Sequence, residues 1–182
     1  MFTSDAIPSQ SLPCDKLDLV RENKCCGQVV IFPRRKIIEY MNEHDVKEIT
    51  PETAWEILRV KPGAALVDVR STLEFDYVGH PLGAINIPWK EAPAWHVNPN
   101  FAGMVREMLM SVEGINTEIE SLPLLLICRS GRRSYEAAEE LMRQGFRNVY
   151  NVAEGFEGDR DGEKHRSTIN GWRFRNLPWE QS

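Results

Sequence analysis

The chain has 182 residues, 42% of them hydrophobic and 27% charged. That is enough apolar material for a buried core and too much for wholesale disorder. Acidic residues outnumber basic ones 27 to 22, a formal charge of −5, which argues against a general nucleic-acid binder. No apolar run approaches the roughly 18 to 20 residues of a membrane span. The N-terminus shows neither the basic nor the apolar region of a secretory leader, and four cysteines are too few for a disulfide scaffold. The expectation is a single domain with an appended segment, in the cytoplasm, with no membrane and no nucleic-acid partner.

Residues 1–45 read as an N-terminal extension. Within it, Gln28-Val29-Val30-Ile31-Phe32 is β-prone, and Ile37, Ile38 and Met41 have helical spacing. A short strand and helix, docked on the domain or on a second copy to form an oligomer, is one reading; a partly ordered tail is the other.

The compact domain is expected over 46–182. Thr50-Pro51-Glu52 starts a helix: a hydroxyl N-cap, proline in the first turn and an acid at the positive dipole end. Trp55, Ile57 and Leu58 give it an apolar side, and Pro62-Gly63 ends it. The run from Ala64 to Val69 suits a strand buried on both faces of a parallel sheet. Gly83 to Pro88 reads as a second, shorter strand, Phe101 to Val112 as a helix, and Leu124 to Ile127 as a third strand. Ser134 to Gln144 is a helix with Ala137, Ala138, Leu141 and Met142 turned inward, and Gly145 stops it; Val149 to Val152 is a fourth strand. Strands alternating with helices predict an α/β, doubly wound, mainly parallel sheet with helices on both faces.

Chemistry concentrates in Cys128-Arg129-Ser130-Gly131-Arg132-Arg133-Ser134. The segment joins a buried strand to a helix N-terminus, at the strand's carboxyl end, where open α/β sheets place their ligands. A sharp turn there directs successive main-chain N–H groups inward as an anion nest, and Gly131 allows the backbone angles it needs. Thiols at helix N-termini beside arginines favour the thiolate, so Cys128 is expected to act as a nucleophile. A buried cysteine is often a small apolar filler. Three arginines and a glycine within five residues have no such role, because unpaired buried charge is expensive.

This loop resembles the active-site loop of the rhodanese family, and the likeness extends along the domain. Leu66-Val67-Asp68-Val69-Arg70 is similar to the family's strand and Asp-x-Arg signature. Glu74-Phe75 and Gly79-His80-Pro81-Leu82-Gly83-Ala84-Ile85-Asn86-Ile87-Pro88 resemble its next stretch. Gly145-Phe146, Val149 to Val152 and Glu154-Gly155-Phe156 resemble its last helix, strand and turn, and Gly171-Trp172 with Leu177-Pro178-Trp179 its ending. The resemblance implies a rhodanese-like fold and a thiosulfate sulfurtransferase working through a persulfide on Cys128. It implies a substrate cradle of Arg129, Ser130, Gly131, Arg132 and Arg133, with Asp68, Arg70 and Ser134 supporting the loop. Thiosulfate would be the small donor and cyanide or a thiol the acceptor, with a protein acceptor as a further partner; no cofactor and no metal are implied.

Loop length separates two chemistries in such folds. The phosphatase-type loop has five residues between cysteine and arginine. Here four separate Cys128 from Arg133, a shorter nest suited to a sulfur group rather than a tetrahedral phosphate. Arg129 and Arg132 are the candidates to attract a dianionic donor, while Arg133 has the alternative of pairing with an internal acid. A non-turnover sulfur carrier serving a protein partner is the alternative function, and a phosphatase-type hydrolase is disfavoured.

The remaining reactive side chains carry blander readings. Cys14, Cys25 and Cys26 could relay sulfur, but thiols in a poorly patterned segment are usually unreactive. No Cys-x-x-Cys pair suggests zinc, and Asp159-Arg160-Asp161-Gly162 lacks the ligands of a calcium loop. His80 reads as a turn residue; His96 and His165 fall in loops. Trp89 and Trp95 read as packing residues. The aromatic tail is expected to pack its tryptophans on the domain and leave Arg173 and Arg175 in water.

Overall fold

A computed structural model describes residues 45–111 and 118–182. The expected strand and helix of residues 28–41, and Cys14, Cys25 and Cys26, lie outside them, as does Val112. Five parallel strands form the central sheet: β1 (Lys47–Ile49), β2 (Ala65–Asp68), β4 (Ile85–Asn86), β5 (Leu124–Ile127) and β6 (Val149–Val152), in the order β1-β6-β5-β2-β4. Two further strands, β3 (His80–Pro81) and β7 (Trp179–Glu180), pair antiparallel beside it. The helices are α1 (Pro51–Val60), α2 (Thr72–Val78), α3 (Phe101–Met110) and α4 (Arg132–Arg143).

Side chains alternate across the sheet, and the strands show it. Val67, Val69, Leu124, Leu126 and Cys128 share one core layer with Phe101, Val105 and Leu109 of α3 and Ala137, Ala138 and Leu141 of α4. Leu66, Leu125 and Ile127 share the other with Ala54 of α1, Val152, Phe156 and Trp172. Helices therefore cover both faces, as a doubly wound sheet requires. All four residues of β5 are 0% exposed, the reason their sequence is uninterrupted apolar. From β2 the chain turns to β4 on one side; from β5 it turns to β6 on the other. The carboxyl ends of these two neighbouring strands, Asp68 and Ile127 in register, thus meet where the connections diverge, which is where such sheets open a crevice.

Local signals act as expected at several ends. Thr50 Oγ1 accepts from the Thr53 N–H at 3.3 Å. After α4, Gly145 (φ 98°) turns the chain so that the Phe146 N–H reaches Leu141 O. α4 itself begins at Arg132, two residues before the position read from sequence, with Gly131 at its N-cap and Ser134 buried in its first turn. The second strand is only Ile85–Asn86.

The tail packs Trp172 on the domain as expected, while Trp179 stays 43% exposed. Trp172 is fully buried, edge-on to Trp55 with ring centroids 6.2 Å apart, and its Nε1–H donates to Pro178 O at 2.9 Å. The tail's arginines keep contact with water, Arg175 exposed and Arg173 half-buried, but each also finds a partner. Arg175 pairs with Glu154 and Glu52, and the Arg173 guanidinium lies 5.1 Å from the Trp179 ring centroid. The ordered tail provides these partners, which composition could not show. Trp172→Ala should lower the unfolding free energy by about 3–5 kcal/mol, the range for emptying a buried aromatic site, measurable as a fall in the urea midpoint.

Candidate active site

Cys128 follows β5 and faces the α3–α4 layer. Its residue is 1% exposed, more buried than the sequence reading of a reachable sulfur implied. Val67, Val69 and Leu126 belong to its apolar layer. On the polar side, Ser134 Oγ lies 3.3 Å from Sγ. Gly131 caps α4 with φ 84°. The Tyr135 N–H donates to Gly131 O, whereas the amides of Arg129 to Ser134 donate to no protein oxygen among the described residues. Some of these are the orphan donors of any helix start; the rest belong to the loop, and together they form a run of N–H groups without a protein acceptor immediately after the cysteine in the chain.

The loop is held from below by the segment after β6. The Phe156 N–H donates to Cys128 O at 2.7 Å, and the Glu157 and Gly158 N–H groups both donate to Arg129 O. The two backbones touch where no side chain fits. A Cβ on Gly131 would strike the Ala153 carbonyl, and one on Gly155 (φ 66°) would lie 2.6 Å from Cys128 O. Glu154-Gly155-Phe156 carried the family likeness, but Gly155 was not among the expected site residues. Its signal was a glycine soon after β6, and its meaning is this close approach.

Asp68 and Arg70 lie at the base, both 0% exposed. Arg70 Nε and Nη2 grip the Asp68 carboxylate at 2.6–3.0 Å, and Nη2 also donates to Gly79 O at 2.7 Å. The guanidinium stacks 4.4 Å from the Phe156 ring centroid. It therefore braces the loop indirectly, through the residue that hydrogen-bonds Cys128 O. Asn86 Nδ2 ties the Asp68 and Arg70 carbonyls together at 3.0 Å each.

The three arginines divide their work. Arg129 is exposed, and the Arg132 side chain is 90% exposed with Glu136 Oε1 3.9 Å away. Arg133 is turned inward to Glu74 in a two-pronged pair, Nη1 to Oε2 at 2.8 Å and Nη2 to Oε1 at 2.7 Å. Glu74 also completes a capping box with Ser71 at the start of α2. Burial alone would lower the Arg133 pKa, but Glu74, with Cys128 and Asp68, raises it overall. A second positive group stands near the rim: Arg166 donates to Gly158 O, one peptide from the amide that holds Arg129 O. Nothing in the spacing pointed to Arg166, because a loop brings it there.

Among the described residues, no histidine hydrogen-bonds a member of this constellation. His80 stacks on Phe75 at 3.6 Å and contacts Phe75 O through Nδ1, a structural position as expected. Trp89 is buried against Phe101; Trp95 is half exposed. Among the described residues no group of acidic, histidine or cysteine side chains could hold a metal ion, and no helix is long and apolar enough to cross a membrane.

Burial pushes the Glu74 carboxyl up, but the Arg133 and Ser71 hydrogen bonds and the Arg133 charge outweigh it and bring the pKa from 4.5 to about 2. A lowered folded-state value means the group stabilises fully above about pH 4.5 and loses that contribution as pH falls toward 2. The urea midpoint of the protein should therefore exceed that of Glu74→Gln at pH 7, with the gap closing between pH 4.5 and 2.

The rhodanese-like domain family model matches residues 50–160. The chain is 32% identical over 138 residues to an uncharacterized protein, the RP600 homolog of Rickettsia rickettsii, covering 74% of this chain and 98% of that one. It is 33% identical over 112 residues to the thiosulfate sulfurtransferase GlpE of Haemophilus influenzae, covering 62% and 86%. The crystal structure of Rv0390 from M. tuberculosis superposes with a TM-score of 0.64 at 36% identity, over 76% of this chain and 99% of that one. With its cysteine loop at the divergence of β2 and β5 and this match over most of the sheet, the chain belongs to the rhodanese family.

Proposed function

We propose that the protein is a sulfurtransferase that carries sulfane sulfur from thiosulfate, or a related anionic donor, to a thiophilic acceptor through a persulfide on Cys128. The observation that supports this most directly is the run of unpaired amides from Arg129 to Ser134 beside a buried thiol and a fixed arginine. Such a cradle stabilises an anionic sulfur without a general base. The likeness to a thiosulfate sulfurtransferase supports the same chemistry.

The reaction runs in two balanced halves. The Cys128 thiolate attacks the outer sulfur of thiosulfate; a new S–S bond forms, the old one breaks, and sulfite leaves with the electron pair. The persulfide anion then gives its outer sulfur to the acceptor, cyanide or a thiol, and Cys128 returns to the thiolate. Exposed Arg129 and Arg132 recruit the donor dianion toward the loop. Ser130 and Gly131 supply amides. Arg133, committed to Glu74, fixes the loop and adds positive charge beside Cys128 without having to leave its partner. The chemistry suits the reducing cytoplasm.

The 1% exposure of Cys128 favours a second reading, a sulfur carrier that loads slowly and unloads only to a dedicated protein acceptor. Phosphate hydrolysis gains no support, since four residues between Cys128 and Arg133 make the shorter loop.

Incubation with thiosulfate should add about 32 Da to the intact mass, one sulfur on the thiolate, and cyanide should then release thiocyanate. Cys128→Ser should abolish both; thiocyanate production retained in that variant rejects the scheme. Mass gain without turnover identifies the carrier, and hydrolysis of an aryl phosphate identifies the hydrolase. Arg129→Gln should raise KM for thiosulfate several-fold with little change in kcat, the pattern of lost binding rather than lost chemistry.

A further inference from the structure

Ser134 Oγ carries one proton and has three acceptors in reach. Asn151 Oδ1 is 2.7 Å away, Gly131 O 3.0 Å and Cys128 Sγ 3.3 Å. Only one can take the proton at a time, so the choice matters to the sulfur.

The shortest contact is fixed from outside the site. Asn151 lies on β6 and is 1% exposed. Its Nδ2 sits 3.2 Å from Glu48 Oε1, on the neighbouring strand β1. A carboxylate only accepts, so the amide must turn Nδ2 to Glu48 and Oδ1 to Ser134. The hydroxyl proton then points to Asn151, and Ser134 shows Cys128 its lone pairs. A thiol can donate to those lone pairs; an anionic sulfur is repelled by them.

We infer that Asn151, oriented by Glu48, competes with the Cys128 sulfur for the Ser134 hydroxyl proton and thereby sets how readily that sulfur becomes anionic. On ionisation the thiol proton leaves to solvent, and the Ser134 hydroxyl rotates from Asn151 Oδ1 to Sγ. Asn151 touches neither the sulfur nor a donor molecule, so it is a positioning residue. The charged groups around the sulfur are separate from this rotor. Arg133 on α4 faces Cys128 and is held by Glu74 of α2; Asp68 on β2 is held by Arg70; Arg129 and Arg132 stand at the exposed rim. Glu48 and Glu136 stand beside the loop with Ser130, Gly131 and Arg132, so the charge of Glu48 is separated from its orienting role by Glu48→Gln, which removes the charge and keeps an acceptor.

The test reads the thiol directly and requires no sulfur donor, so it is independent of the proposed reaction. Iodoacetamide alkylation is followed from pH 5 to 9 on the proteolytic peptide carrying Cys128, so that its signal is read apart from Cys14, Cys25 and Cys26. The pH of half-maximal rate is compared, since it does not depend on how open the site is. In Asn151→Leu the freed proton goes to the anionic sulfur in preference to the neutral Gly131 carbonyl, charge-assisted bonds being the stronger. The half-rise should move down by about one pH unit, tenfold in the ionisation equilibrium. Glu48→Leu, at an exposed position, should move it the same way by releasing the amide to turn. Glu48→Gln, which still offers an acceptor oxygen, should restore the original profile. Adding Ser134→Ala to Asn151→Leu should remove the shift. An unchanged or raised half-rise in both Asn151→Leu and Glu48→Leu, or a shift that survives Ser134→Ala, overturns the inference. Should Asn151→Leu fail to fold, the Glu48 pair of variants decides.

Discussion

Two stretches of backbone lie against one another with no room for a side chain between them, and the site depends on that contact. The cysteine loop leaves β5 and the Ala153–Gly158 segment leaves its parallel neighbour β6, so both emerge at the same end of the sheet. Gly131 and Gly155 let them meet. The close approach converts carbonyls that would otherwise face water into acceptors for the Phe156, Glu157 and Gly158 amides. With the carbonyls of Cys128 and Arg129 tied down, the loop's own N–H groups are left without protein acceptors among the described residues. Preorganised donors of this kind need no rearrangement when charge appears.

Charge around the site is arranged in closed pairs with a small open remainder. Arg70 and Asp68 neutralise each other at the base, where either alone would be a costly buried ion. Arg133 and Glu74 do the same higher up and join α4 to α2. The exposed cations, Arg129 and Arg132, stay available to solvent and therefore to an incoming anion. Inner pairs give rigidity, outer charges give attraction, and neither group substitutes for the other.

The sequence revealed the central sheet because burial on both faces forces unbroken apolar runs, as in Leu124 to Ile127. It revealed the cysteine loop because arginines and glycine are out of place in a core. Of the short elements, β4 was legible from the apolar stretch around it, but β1, β3, β7 and α2 were not. β1 spans three residues with an exposed edge, and β3 and β7 span two each, too few for any period to register. α2 buries none of its residues, so it shows no amphipathic stripe, although Ser71 and Glu74 spelled out its capping box. Residues that matter through a partner distant in the chain were hidden too. Glu74 and Arg133 are 59 positions apart, and Asn151 and Glu48 are 103 apart. The free choice for Arg133 between substrate and an internal acid could be narrowed only by seeing Glu74 beside it.

The last strand has reach beyond its size. Trp179 packs edge-on against Phe156, with ring centroids 6.1 Å apart, and Glu180 pairs in register with His80. Phe156 in turn carries the Arg70 guanidinium on its face and the cysteine's carbonyl on its amide. The carboxyl-terminal end of the domain is thus a keystone two contacts from Cys128, and anything that prises it loose, a protease or a fused neighbour, would be felt at the sulfur.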